Sequence, residues 1–179
     1  MKDIRKIILS AVFLAIGIVL PLFTSQIKEI GDTLLPMHLP VMLCGFICGA
    51  PYGLLCGIIM PFLRALIFGM PPMYPNAVWM AAELAAYGFF TGFLFARFKR
   101  KNTAAVYISL VLSMVFGRCV WGVVKAVLLG LKGKAFTFAA FVSGGIVDAF
   151  PGIIIQLVII PVIIKVFLKK RILTEDEGN

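Results

Sequence analysis

Acidic residues and histidine are scarce in this 179-residue chain. Eight Asp and Glu stand against seventeen Lys and Arg, there is one histidine, and charged residues of all kinds make up only 14%. That is too little charge to keep a globular surface in water, so a soluble domain is excluded. The single histidine, His38, argues against zinc-protease chemistry and against a relay of histidines. The four cysteines, Cys44, Cys48, Cys56 and Cys119, contain no Cys-x-x-Cys pair and sit in apolar stretches, which suits small-residue packing rather than metal or redox work. No Gly-x-x-x-x-Gly-Lys-Ser/Thr loop occurs. Gly130-Leu-Lys-Gly-Lys-Ala135 lacks both the spacing and the terminal hydroxyl, so the chain has no phosphate loop with which to hydrolyse ATP. Ser143 has only His38, on another span, to activate it, and Asp148 stands alone among the spans where a magnesium site for lipid phosphates would need clustered carboxylates. No catalytic residues, metal or cofactor are expected.

What is abundant is apolar length. Hydrophobic residues make up 61% of the chain, in stretches too long for soluble helices. Hydropathy, punctuated by glycine, proline and charge, places spans near 7–24, 37–50, 51–69, 76–96, 104–130 and 139–168. The expectation is an all-α membrane protein, one integral membrane domain over 1–179 that forms a compact bundle of six transmembrane helices. The stretch 37–50 is short for a full crossing, so five spans are the alternative. The first apolar stretch has the basic start of a signal peptide, but no small-x-small cleavage site follows Leu20-Pro-Leu-Phe-Thr-Ser25, and it is taken as a span.

Basic residues set the orientation. With the N-terminus inside, the cytoplasmic segments carry eleven: Lys2, Arg5, Lys6, Arg97, Lys99, Arg100, Lys101, Lys165, Lys169, Lys170 and Arg171. The outer loops carry three, Lys28, Lys132 and Lys134. This bias predicts an even number of spans with both termini cytoplasmic, and it places the positive charge beside anionic lipid headgroups, not nucleic acid.

Four glycines at intervals of four, Gly45, Gly49, Gly53 and Gly57, are interrupted by Pro51. They predict two tightly packed helices joined by a very short turn, because side-chain-free positions let backbones touch in lipid. The ionisable residues left within spans are Arg64, Glu83, Arg118, Lys125 and Asp148, with His38 at the start of the second span. At about 1.5 Å of rise per residue, Arg64, Glu83, Lys125 and Asp148 fall roughly 8–14 Å below the outer surface and Arg118 near the midplane. Charges at one depth, open to one side, suit a binding pocket better than a conduction path. Arg118, Trp121 and Lys125 share a helical face, and Asn76, Trp79, Met80, Glu83 and Tyr87 form another stripe. Before the second stripe, Gly69-Met-Pro-Pro-Met-Tyr-Pro75 reads as a non-helical outer loop whose Tyr74 is placed to cover a ligand. Arg118 with Asp148, or Lys125 with Glu83, are the candidate structural ion pairs, and Asn76 after Pro75 is a candidate helix cap.

These features together resemble the substrate-binding S components of energy-coupling factor (ECF) transporters, the bacterial vitamin importers. Ala11-Val-Phe-Leu-Ala15 is similar to the small-residue pair with which that family docks on its coupling subunit. Leu35-Pro-Met-His-Leu-Pro40 through Gly53 resembles a recurrent family segment, as does Gly69–Pro75 leading into Glu83-Leu-Ala-Ala-Tyr-Gly88. The resemblance implies a subunit of the bacterial cell membrane that captures a small vitamin, such as pantothenate, folate or riboflavin, from outside. A transmembrane coupling subunit and two separate ATPases would supply the energy. Ala11 and Ala15 are then the docking pair. The expected substrate site, inferred from depth and face, comprises His38, Tyr74, Asn76, Trp79, Glu83, Arg118, Trp121, Lys125 and Asp148. The chain begins Met1-Lys-Asp3 and lacks the Met-His start of nickel and cobalt members. A self-sufficient secondary transporter is the rival reading; it would need inverted repeats, and none is evident between 1–90 and 91–179. A membrane enzyme acting on lipid phosphates is the other.

Overall fold

Residues 2–24, 35–100 and 102–169 are described by a computed structural model. The basic residues Lys28, Lys101, Lys170 and Arg171 used above for orientation lie outside them. All the secondary structure described is helical: α1 (Lys2–Thr24), α2 (His38–Cys48), α3 (Ala50–Phe68), α4 (Val78–Arg97), α5 (Thr103–Gly130), α6 (Phe138–Val142) and α7 (Phe150–Lys169). Single π-helical turns at Met73–Ala77 and Ser143–Val147 precede α4 and follow α6. Among the described residues five helices, α1, α3, α4 with its preceding turn, α5 and α7, are long and apolar enough to cross a membrane. The eleven-residue α2 is apolar but shorter.

The glycine ladder divides its labour. Gly49 alone separates α2 from α3, with φ at 101°, a region that residues with a side chain avoid. Its neighbour Pro51 falls in the first turn of α3, where a missing N–H costs nothing. Gly53 instead serves close approach. A Cβ there would collide with the Gly88 carbonyl of α4, and a Cβ on Gly88 would collide with the backbone of Gly53. Gly45 and Gly57 face α4 in the same way, at Gly88 with Thr91 and at Leu84. The Thr91 hydroxyl, at this contact, donates back to the Tyr87 carbonyl at 2.8 Å and so leaves no unmet polar group in the seam.

α4 is thereby the centre of the bundle, packed on α2, α3 and α5, with 56% of its apolar window buried. α1 lies at the edge with 11% buried. It rests on α2 and α3 through Leu9, Phe13, Leu14 and Ile18, while Ile4, Ile8, Val12, Ile16 and Val19 are exposed. The core joins Val41, Met42, Met60, Leu84, Tyr87, Leu110, Ile160 and Ile164 from five helices.

Two expectations about helix paths are corrected. The helix read over 139–168 is not continuous: it breaks through the π turn at Ser143–Val147, and α7 starts only at Phe150. Gly144, Gly145 and Pro151 weaken the helix there while leaving hydropathy high, so the break is invisible to an apolar count. The loop Gly69–Pro75 is largely irregular, with Gly69 left-handed at the end of α3 and cis bonds at Met70–Pro71 and Tyr74–Pro75. Its last residues nevertheless wind into the turn Met73–Ala77, within which Tyr74 is extended.

Replacing Gly53 with leucine is expected to push α3 from α4 and destabilise the fold by about 1–3 kcal/mol, the usual cost of overpacking. The Cβ position at Gly130 meets nothing, so Gly130→Leu serves as the control. Thermal unfolding in lipid nanodiscs checks this; equal melting of the two variants would refute the close-approach account.

Candidate functional site

The face of α4 opposite its glycine seam carries the polar stripe. Trp79, Glu83 and Tyr87 recur every four residues there, and Gly88 sits about 140° further round the helix from Glu83 at 100° per residue. On α5, Arg118, Trp121 and Lys125 are spaced three and four apart and so share one face. The two stripes meet. Arg118 Nη1 donates to Glu83 Oε1 at 2.8 Å, and His38 Nε2, from the start of α2, stands 3.3 Å from the same oxygen. Glu83 and His38 are buried and Arg118 nearly so. A carboxylate in this setting is tolerable only because cationic and polar groups face it, and removing one partner of a buried pair typically costs about 3–5 kcal/mol.

Tyr87, one turn further along α4, lies under this cluster. Its ring meets the His38 ring edge-on, with centroids 5.1 Å apart, and packs against Gly117 of α5, where a Cβ would strike it. Toward the other end of the stripe, the half-buried ammonium of Lys125 sits over Trp121 at 4.4 Å, Trp79 at 5.3 Å and Phe136 at 5.5 Å from the ring centroids. These rings offer their negative faces to the cation. Trp121 is fixed in turn: its far edge packs on Gly144 and Gly145, and its ring lies near Phe136 and Phe141. Two connections at the same end of the bundle meet above the cage, because Lys132, just past α5, lies 4.6 Å from the Tyr74 ring of the Gly69–Pro75 loop.

The partner choice differs from both ion pairs suggested by the sequence. Arg118 takes Glu83, not Asp148, and Lys125 takes aromatic faces, not Glu83. Asp148 follows the second π turn and is exposed. Arg64 Nη1 donates to Met37 Sδ at 3.4 Å. Asn76 lies half-buried within the turn Met73–Ala77, and α4 starts after Ala77 without a side-chain cap, so the capping role is not seen. Tyr74 is exposed at the rim.

Two residues of this neighbourhood, and a buried amide on α7, lie outside the site expected from the sequence. Tyr87 was in the stripe but not among the expected site residues. Phe136 lies in the irregular connection between α5 and α6, where no periodicity points to it. Gln156 of α7 is buried, and its amide nitrogen has no hydrogen-bond partner among the described residues. It did leave a signal, being the lone amide in the run Phe150-Pro-Gly-Ile-Ile-Ile-Gln-Leu-Val-Ile-Ile160.

Comparison with known proteins gives one family. No curated protein and no solved structure matches the chain. A family model described as the ECF transporter substrate-specific component matches residues 5–164, which takes in every residue of the two stripes. The chain belongs to the substrate-specific components of ECF transporters.

Proposed function

We propose that the chain captures a small organic micronutrient of the vitamin class from outside the cell and hands it on through a coupling subunit driven by two separate ATPases. The observation that carries this reading is the closure of two helix faces from α4 and α5 on the buried Arg118–Glu83–His38 cluster, from which the stripe of Lys125 and its aromatic cage runs toward the end of the bundle where Tyr74 and Lys132 meet. Polar groups this costly in an apolar bundle are the ordinary mark of a ligand site. In this reading Glu83, Arg118 and His38 form the floor, Trp79, Trp121 and Lys125 the wall, and Asn76, Tyr74 and Asp148 the rim. Capture needs no covalent chemistry from the chain.

The same reading puts 1–179 in the bacterial cell membrane as one domain with both termini cytoplasmic, so that the site faces outward. Docking falls to α1. Ala11 and Ala15 are exposed on its outer side, and Ala15, Ile16, Val19 and Leu20 line a shallow depression of about 310 Å³. A helix that is mostly unburied within its own chain, with small residues on the bare side, suits close packing against another helix in lipid.

Protein purified from cells grown in rich medium is expected to release one small molecule per chain on denaturation, identifiable by mass spectrometry as a vitamin or a relative of one. An empty preparation that also fails to co-purify with coexpressed coupling and ATPase subunits would sink the capture reading. Ala11→Trp with Ala15→Trp is expected to abolish that co-purification and uptake in cells while leaving ligand retention intact. Unimpaired uptake by the double variant would remove α1 as the docking surface.

A further inference from the structure

Arg118 uses one of its three nitrogens on Glu83. The other two, Nε and Nη2, are buried and have no hydrogen-bond partner among the described residues. Nε and Nη2 lie along one edge of the guanidinium, with parallel N–H bonds at the separation of the two oxygens of a carboxylate. Nη1 is therefore tied to the protein in a way that leaves the bidentate edge whole and holds the plane of the group fixed. Leaving buried donors of a charged group unmet is costly, so the arrangement calls for an acceptor that none of the described residues supplies.

Arg118 and Lys125 bring two positive charges and Glu83 and the exposed Asp148 two negative ones, and Lys125, which sits over the faces of Trp79, Trp121 and Phe136, feels both carboxylates. A planar two-oxygen group matches one flat edge better than a tetrahedral phosphate does.

We infer that the Nε–Nη2 edge of Arg118 is the seat of a ligand carboxylate, so that the captured molecule is an organic carboxylate. This rests on the capture reading and narrows it to one ligand chemistry. The body of the molecule lies toward Trp121, whose ring centroid is 5.8 Å from Arg118 Cζ. Glu83 is then a positioning residue. It orients the guanidinium and does not touch the carboxylate.

The test is a titration of the full chain in lipid nanodiscs with sodium acetate as the minimal carboxylate. Sodium chloride at equal ionic strength, acetamide and inorganic phosphate are the comparisons. Trp79 and Trp121 are the only tryptophans in the chain, so intrinsic fluorescence reports on this site without a label. Acetate is expected to give a saturable change that acetamide and chloride do not give. Arg118→Lys, which keeps the charge but loses the fork, should weaken acetate binding by about tenfold or more. Should that variant fail to fold, the unaltered chain decides, by whether it binds acetate in preference to both acetamide and phosphate. The inference is overturned by acetate acting no better than acetamide, by phosphate binding more tightly than acetate, or by unchanged acetate affinity in Arg118→Lys. Failure of the capture reading shows separately, as acetate-selective binding by a chain that does not co-purify with coupling and ATPase subunits.

Discussion

The backbone contact between Gly53 and Gly88 is the constraint on which the rest depends. In lipid the hydrophobic effect does not drive helices together, since acyl chains solvate leucine as well as another helix does. What remains is dispersion between surfaces that approach closely, and it falls off within a fraction of an ångström of lost contact. Gly45, Gly53 and Gly57 on one side, with Gly88 and the Leu84 backbone on the other, remove every side chain that would hold α2 and α3 away from α4. The same seam keeps its polar groups satisfied, through the Thr91 hydroxyl on the Tyr87 carbonyl.

Fixing one face of α4 fixes what the opposite face must do. With Gly88 turned to α3, Trp79, Glu83 and Tyr87 turn toward α5 and the start of α2, and a carboxylate in that position needs a cation. Arg118 supplies it, and Gly117 beside it clears space for the Tyr87 ring. The site is thus a consequence of the packing. Residues with no polar atoms in their side chains decide where the charged ones meet.

This order of dependence explains what the sequence disclosed. The glycine ladder and the two polar stripes were legible, because period-four spacing maps directly onto a helix face. Which charge meets which was not legible. Lys125, Glu83 and Asp148 fall at similar depths with Arg118 deeper, and spacing within a helix says nothing about the rotation of its neighbour. Asp148, which is exposed, follows the π turn at Ser143–Val147, whose Ser-Gly-Gly-Ile-Val sequence hydropathy scores as span. Phe136 entered the Lys125 cage from an irregular connection whose path only the tertiary structure defines. Gln156 was readable and overlooked, since a lone amide in an apolar run carries the same message as a lone charge.

The site and the bare face of α1 are on different parts of the bundle, yet α2 touches both regions. At its start His38 stands against Glu83 and the Tyr87 ring. Two turns on, the Cys44 thiol lies 3.5 Å from the Ser10 hydroxyl of α1, whose own bond goes back to the Lys6 carbonyl. Between these contacts α2 is almost wholly buried, and Gly49 is its only separation from α3. A close-packed helix transmits displacement because its neighbours leave it no room to absorb one. α1, being the least buried of the long helices, is the element with the least to hold it in place, and it rests on this close-packed α2.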